Sequence, residues 1–199
     1  DAAGREASEI RYFDLYSCFP IVVLEAREAL GIPANDPRAL TQTGGLPYFG
    51  GPGNNYSMHA IAAMMQTLRD DQGSHGLVYA NGGFMSKHAV GVYSSAAPVE
   101  WQPCASQKLQ QTVDGKQRVE TVSSPDGAGR IESWVVSYRK GLPAGVIIAG
   151  RLSENGARFL AMGLPGDQEM LAEFTSGDPL GRLIRVQPGP EANTFTFSD

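Results

Sequence analysis

The sequence predicts an α/β segment followed by a small all-β barrel that holds one helix. Up to residue 95 the pattern reads strand, helix, helix, strand, strand, and the helical stretches are amphipathic. After residue 96 short strands dominate, separated by turn signals such as Glu154-Asn155-Gly156. Five or six short strands closed around one helix are typical of an OB-like barrel. We therefore expect three parts: residues 1–95, a linker with a short helix at 96–116, and a barrel domain at 117–199.

The first segment opens with a strand and two helices whose ends carry recognisable signals. Ile10–Tyr16 is rich in aromatic residues and alternates loosely, which favours a strand. Pro20–Leu30 has a proline suited to the first helical turn, and Gly31 can end that helix. A second helix begins near Asn54 or Asn55, because both are good N-caps. Its predicted buried stripe consists of Met58, Ile61, Ala62, Met65 and Leu68.

Two short strands, Gly76–Ala80 and His88–Ser94, complete this segment. Three strands and two helices leave an open, apolar sheet edge. We therefore expect residues 1–95 to be a piece of a larger domain or to pair with another chain. In the remainder, strands are predicted at 117–123, 131–140, 146–153, 157–164, 180–187 and 193–197, with helices at 105–111 and 166–175.

Composition argues against several classes of function. The chain has 16 Lys and Arg against 21 Asp and Glu, a net charge of -5, which disfavours nucleic-acid binding. The longest apolar run, Cys18–Leu24, is too short to span a bilayer, which needs about 20 residues. Two cysteines cannot supply a four-ligand zinc site. We expect no bound metal, and thiols kept reduced in the cytoplasm.

Three segments place glycine or polar groups where a strand ends or a helix begins. The first, Asp14–Pro20, is a strand-to-helix turn that carries the Cys18 thiol. The second, Gly44–Asn55, is a glycine-lined loop, and it lacks the lysine of a phosphate-binding P-loop. The third is Asn81-Gly82-Gly83, followed by His88. Because ligand sites in α/β sheets collect at such strand ends, we expect the three segments to share a pocket.

The order and spacing of these segments resemble the C-terminal half of thiolases, especially the sterol-carrier-protein type and thiolase-like protein type 1. The turn around Cys18 resembles the His-Asp-Cys-Phe loop of the sterol-carrier type. Gly44–Pro52 is similar to the segment that ends in Gly-His-Pro, and Ala80-Asn81-Gly82 stands where other thiolases have Cys-x-Gly. The resemblance covers residues 10–94, and the remainder resembles the additional C-terminal domain of thiolase-like protein type 1. It implies a layered α/β fold and an acetyl-CoA acetyltransferase-like acyltransferase of lipid metabolism, acting on CoA thioesters without a tightly bound cofactor.

The sequence departs from the thiolase pattern at chemically active positions. The nucleophilic cysteine of thiolases belongs to their N-terminal half, so the resemblance implies that such a half, or a partner subunit in an oligomer, supplies it. Gly51 replaces the histidine of Gly-His-Pro, and Ala80 replaces the second catalytic cysteine. Gly82 is retained, and its backbone N–H could serve an oxyanion hole. We expect acyl-CoA as ligand and no activity from this chain alone.

Cys18 is the best remaining acid/base candidate, because the resemblance implies a proton-transferring cysteine there and a helix begins at Pro20. His88 could partner Cys18 across the cleft. The alternatives are a buried, small apolar Cys18 and a structural His88. The residues assigned to substrate binding are Tyr16, Gly50, Gly51, Asn54, Asn55 and Asn81. The competing function is a degenerate module that binds acyl-CoA or a protein without catalysis.

Overall fold

A computed structural model describes residues 3–97 and 105–198. The chain divides into two compact units, residues 1–111 and 112–199. The prolines and tryptophan of the expected linker, at positions 98, 101 and 103, lie outside the described residues, as does Cys104.

The N-terminal unit has one three-stranded sheet, with strand order β1-β2-β3. Strands β1 and β2 are parallel, whereas β2 and β3 form an antiparallel hairpin. The elements in chain order are β1 (Tyr12–Leu15), α1 (Pro20–Ala29), α2 (Leu46–Phe49), α3 (Tyr56–Asp70), β2 (His75–Gly82) and β3 (Lys87–Ser94), with 3-10 turns at Ala7–Glu9 and Gly53–Asn55.

Helix α1 begins and ends where the sequence predicts. Pro20 occupies the first helical position, where a missing N–H costs no hydrogen bond. Gly31 follows the helix with φ +65°, a left-handed conformation that glycine adopts without steric penalty. Val22 and Ala26, one turn apart, are buried against the sheet, so this helix covers one face of it.

The predicted buried stripe of α3 is correct at Leu68, which is buried, and wrong at Met58 and Ala62, which are exposed, while Ile61 and Met65 are partly buried. The buried residues are Tyr56, Ala60, Met64 and Leu68, whereas Met58 is 65% exposed. The Tyr56 hydroxyl lies 2.5 Å from Thr43 Oγ1 and 3.3 Å from Asp14 Oδ1, which turns the start of the helix inward. Apolar residues occur all around this helix, and therefore the sequence pattern permits two rotations that differ in buried face.

The sheet lies between the two long helices. Leu77 on β2 belongs to the cluster around α1, and its neighbour Val78 belongs to the cluster around α3. Successive side chains of a strand point to opposite faces, so one strand serves both clusters. This arrangement confirms the predicted α/β packing and places the ends of β1 and β2 side by side.

The C-terminal unit contains a closed five-stranded barrel with strand order β4-β5-β6-β8-β7. Its elements are β4 (Gly127–Arg139), β5 (Leu142–Leu152), β6 (Arg158–Gly163), α5 (Gln168–Ser176), β7 (Leu183–Gln187) and β8 (Thr194–Phe197), and helix α4 (Ser106–Asp114) precedes them. Phe174 of α5 packs edge-on against Phe195 of β8, with 5.9 Å between the ring centroids. The helix therefore contributes to the core that the strands enclose.

Two connections of the barrel test the sequence predictions. The hairpin at Asn155-Gly156 is confirmed, because Leu152 N donates to Ala157 O and Gly156 has φ +72°. The strand predicted at 117–123 is wrong, since that stretch forms only an isolated bridge between Thr121 and Arg158. No helix in the described ranges is both long enough and apolar enough to cross a bilayer.

Candidate functional site

The turn between β1 and α1 contacts both of the other segments that the sequence singles out. Ser17 Oγ accepts a hydrogen bond from the backbone N–H of Leu46, at 3.0 Å, in the glycine-lined segment. The neighbouring Cys18 Sγ accepts a contact of 3.4 Å from Asn81 Nδ2 at the end of β2. Through Ser17 and Cys18, the first segment therefore contacts both the glycine-lined second segment and the third segment at Asn81.

Asp14, in β1, binds the residues that directly precede the glycine-lined loop. Its side chain is 0% exposed, and its Oδ2 accepts from the backbone N–H groups of Gln42 at 2.8 Å and Thr43 at 3.2 Å. The Thr41 hydroxyl also donates to Oδ2, at 3.0 Å. Buried carboxylates need such donors to offset the loss of hydration. These bonds fix residues 41–43, and they thereby place the following Gly44-Gly45 pair beside the turn between β1 and α1.

Gly45 is required by both its conformation and its position. Its φ is +80°, and a Cβ built there would lie 3.0 Å from Ser17 Oγ. A side chain would be strained and would displace the hydroxyl that accepts from Leu46. The glycine therefore allows the loop to approach the turn closely.

Cys18 is half-buried at the start of α1, and it packs against the apolar cluster that includes Phe13 and Leu77. Asn81 directs a side-chain N–H at the Cys18 sulfur, at 3.4 Å. Asn81 Oδ1 is buried and has no hydrogen-bond partner within the described residues. An unpaired buried acceptor has the chemistry to take a donor from a ligand or a water.

His88 has two partners other than Cys18. Its Nε2 lies 2.9 Å from the Met85 carbonyl oxygen, and its Nδ1 lies 2.8 Å from the Tyr79 hydroxyl. A carbonyl can only accept, so in the neutral ring Nε2 carries the proton and the Tyr79 hydroxyl donates to Nδ1. The expected direct pairing of His88 with Cys18 is therefore not formed. Asn81, which lies opposite His88 in the β2–β3 register, contacts the sulfur instead.

Tyr79 is the functional candidate that sequence reasoning missed. It is almost fully buried, and its ring stacks on the His88 ring at 5.9 Å with an interplanar angle of 16°. Burial, and next the electrostatic effect of nearby Cys18, raise the pKa of the Tyr79 hydroxyl. A signal was available: Tyr79 and Asn81 are two residues apart on one strand and therefore share a face.

The predicted binding residues of the glycine loop lie on its exposed side. Gly50 has φ +98°, and Gly51 has Leu46 Cδ2 as its nearest neighbour, 3.7 Å from a built Cβ. Asn55 Nδ2 lies 3.0 Å from Nε2 of His59, whereas Asn54 is exposed. These contacts run within the loop and α3, and do not reach Cys18.

Tyr16 directly follows β1 and Gly82 is the last residue of β2, so both lie at the strand ends beside the turn. The Tyr16 ring packs edge-on against the Tyr56 ring, with centroids 5.3 Å apart, and its backbone N–H donates to Tyr79 O at 3.2 Å. Gly82 ends β2 opposite Lys87. Within residues 3–97 and 105–198, no three side chains of His, Cys, Asp or Glu gather as metal ligands would.

Comparison with known proteins assigns this geometry to a superfamily. Residues 108–190 match the family model described as the thiolase-like protein type 1 additional C-terminal domain. The crystal structure of a monomeric SCP2-thiolase-like protein type 1 from Mycobacterium smegmatis matches 98% of this chain with a TM-score of 0.89 and 43% sequence identity. The chain is a thiolase-superfamily protein.

This thiolase-like chain spans 42% of the length of that solved chain. A search of the curated proteins found no match. The resemblance inferred from the three segments is confirmed at the level of the superfamily, and so is the mixed α/β architecture that it implied.

Proposed function

We propose that this chain forms one wall of a cleft that handles CoA thioesters, in the manner of an acetyl-CoA acetyltransferase. A thiolase-type N-terminal half or a partner subunit would supply the nucleophilic cysteine. The observation that carries the proposal is the contact of 3.4 Å between Asn81 Nδ2 and Cys18 Sγ. It joins the first and third of the segments that resemble thiolase loops, and the neighbouring Ser17 accepts from Leu46 of the second segment.

Each group has a distinct chemical task in this proposal. The absent nucleophile would take the acyl group from the thioester as the CoA thiol leaves. In condensation, the Cys18 thiolate would accept a proton from the substrate α-carbon, and in cleavage it would return that proton. Asn81 would stabilise the thiolate through its N–H. The backbone N–H of Gly82 would stabilise the oxyanion.

The replacements at Gly51 and Ala80 set the expected scale of activity. Gly51 has no side chain to stabilise the oxyanion that a Gly-His-Pro histidine would face. Loss of one oxyanion-hole donor costs about 10²–10³ in rate. We therefore expect acyl-CoA binding to be retained better than thiolytic cleavage.

Exposed apolar side chains in the N-terminal unit support a partner surface. Phe19, Ile21 and Leu24 on or beside α1 are each about half exposed, and Tyr48 and Phe84 are 90% and 92% exposed. Exposed apolar patches on a protein surface are typical of protein interfaces. A thiolase N-terminal half, or a partner subunit, is the partner proposed for them.

The test is to supply a thiolase N-terminal half and measure acetoacetyl-CoA cleavage, with acetyl-CoA binding followed separately by calorimetry. Cys18→Ala should retain binding within about threefold and lose cleavage by at least about 10²-fold. Ser153→Ala, in the exposed turn that follows β5 of the barrel, is the matched control and should change neither quantity. Equal cleavage rates for wild type and Cys18→Ala would remove Cys18 from the mechanism, and absence of binding would overturn the CoA-thioester proposal.

The second candidate function is a non-catalytic binding module, and the outer face of the barrel favours it. The strand order β4-β5-β6-β8-β7, with a parallel β6–β8 pair and α5 between β6 and β7, supports the OB-like assignment. Val135, Ile147 and Leu160 are exposed around a shallow hollow of about 200 Å³ on β4, β5 and β6. Single-strand nucleic-acid sites use cations and stacking aromatics, so this apolar face favours a protein partner. Saturable acyl-CoA binding without cleavage, with the missing half supplied, would support this function.

A further inference from the structure

The hairpin of β4 and β5 extends past the strands that neighbour it in the barrel. Residues 127–130 of β4 pair with β7, and residues 147–151 of β5 pair with β6. Among the described strands, the outer part of the hairpin, residues 137–144, pairs only with itself, and we call it the hairpin tip. Lys140 and Gly141 join its two strands with φ +51° and +80°, the left-handed pair of a two-residue turn. The tip is therefore a regular two-stranded ribbon.

The hairpin tip exposes apolar side chains on both of its faces. Tyr138 is 62% exposed and Leu142 is 70% exposed. Leu142 is paired with Arg139, and Tyr138 is paired with Pro143. Cross-strand partners share a face and successive residues alternate, so Leu142 lies on one face of the ribbon and Tyr138 on the other. A groove in a folded protein contacts one face, whereas a lipid layer surrounds the tip and accepts apolar groups from every side, because the hydrophobic effect is non-directional.

The same tip carries positive charge in an acidic chain. The net charge of the chain is -5, yet residues 133–153 contain no Asp or Glu, and they contain Arg139, Lys140 and Arg151. Arg151 pairs with Glu132. The other ion pairs within the described part of the barrel leave Arg139 and Lys140 out. Two such cations beside exposed apolar side chains complement a negatively charged layer with an apolar layer beneath it, which is the chemistry of an anionic lipid surface.

We propose that the hairpin tip attaches the barrel to an anionic lipid surface. Leu142 and Tyr138 enter the headgroup region, where tyrosine is favoured, and Arg139 and Lys140 contact the lipid phosphates. Two cations and two apolar side chains give a weak attachment, so binding is reversible and half-maximal at about millimolar lipid. The inference goes beyond the proposed function, because it involves neither the thiol of the candidate site nor an acyl-CoA.

The test is co-sedimentation of the whole chain with vesicles of phosphatidylcholine, either alone or mixed with an equal amount of phosphatidylglycerol. Wild type should bind the anionic vesicles at low salt, bind the neutral ones at least about 10-fold more weakly, and be released by about 0.5 M salt. Arg139→Gln combined with Lys140→Gln should weaken anionic binding about 30-fold, since each cation contributes about fivefold. Lys116→Gln combined with Arg118→Gln removes the same charge from exposed positions outside the tip, and should stay within about twofold of wild type.

A second variant tests the apolar part of the attachment. Leu142→Ser should weaken anionic binding about fivefold. Leu180→Ser, at an exposed leucine elsewhere in the barrel unit, should reproduce wild type. All of these positions are exposed, so every variant should keep the melting temperature of wild type.

Three results would overturn the proposal: no binding to anionic vesicles, equal binding to both kinds of vesicle, or equal losses in the tip and control variants. Wild-type affinity in Leu142→Ser would also overturn it. Binding of a double-stranded oligonucleotide by that variant and by wild type alike would then identify phosphates alone as what the tip recognises. Since no measurement involves acyl-CoA, failure of acyl-CoA binding leaves the outcome separate.

Discussion

Replacement of Asp14 by alanine should destabilise the N-terminal unit more than any exposed substitution. The Asp14 carboxylate is fully buried and accepts from two backbone N–H groups, those of Gln42 and Thr43. The hydroxyls of Thr41 and Tyr56 donate to it as well. Alanine removes every one of these acceptors and leaves a polar space at the centre of β1.

The expected cost follows from the donors left behind. A buried donor without an acceptor costs about 1–3 kcal/mol, and water entering the space relieves part of that. Summed over the two backbone groups and the hydroxyls, Asp14→Ala should lower the free energy of unfolding by about 3–5 kcal/mol. Asp14→Asn keeps one oxygen in place and should cost about 1–2 kcal/mol.

Urea unfolding followed by far-UV circular dichroism measures the loss, and amide hydrogen exchange at Gln42 and Thr43 locates it. Both amides should exchange faster in Asp14→Ala. Asp70→Ala, at the exposed end of α3, is the matched control and should stay within about 0.5 kcal/mol of wild type. Unchanged exchange at both amides, or a loss below about 1 kcal/mol, would refute the reasoning from buried donors.

Two further predictions concern the glycine loop and the barrel. Gly51→His should fold with little loss, because a Cβ there meets only Leu46 at 3.7 Å, whereas Gly50→His should lower the melting temperature because Gly50 has φ +98°; equal melting temperatures would contradict this. Arg158, followed by Arg151, holds the pKa of Glu132 at about 2 instead of 4.5. A carboxylate whose pKa is lowered by folding stabilises the fold at pH values above its ordinary pKa, and this stabilisation is lost as the pH falls toward 2. The stability advantage of wild type over Glu132→Gln should therefore shrink between about pH 6 and pH 2.5. Thermal unfolding of both proteins across this pH range measures the stability difference. A difference that does not change with pH would contradict a stabilising role for the ion pair.

Local signals in the sequence predicted the elements well where one residue type determines the backbone. Pro20 and Gly31 bound α1 as expected, and Asn155-Gly156 makes the predicted hairpin. The rotation of α3 could not be predicted locally, because Tyr56 is fixed by hydroxyl contacts with residues far away in the sequence. Long-range polar contacts decide between two apolar faces that the periodicity leaves equivalent.

The sequence predicted which loops form the candidate site better than it predicted which side chains touch there. The sequence placed Cys18 and Asn81 in segments expected to meet, and their side chains do touch. The partner of His88 depends on the register of β2 with β3, which puts Asn81 opposite His88 and Tyr79 diagonal to it. A one-residue change of register would exchange these faces, and the turn residues alone do not determine it.

The parallel pairing of β1 with β2 has a consequence for the order of assembly. Tyr12 pairs with Gly76, so this contact closes a long stretch of chain, whereas β2 and β3 are joined by a short turn. Closing a long loop costs chain entropy before the contacts at its ends can stabilise the fold. Pairings between strands far apart in the sequence therefore slow folding. The hairpin carrying Tyr79, Asn81 and His88 can form early, and the thiol reaches it only when the first strand docks.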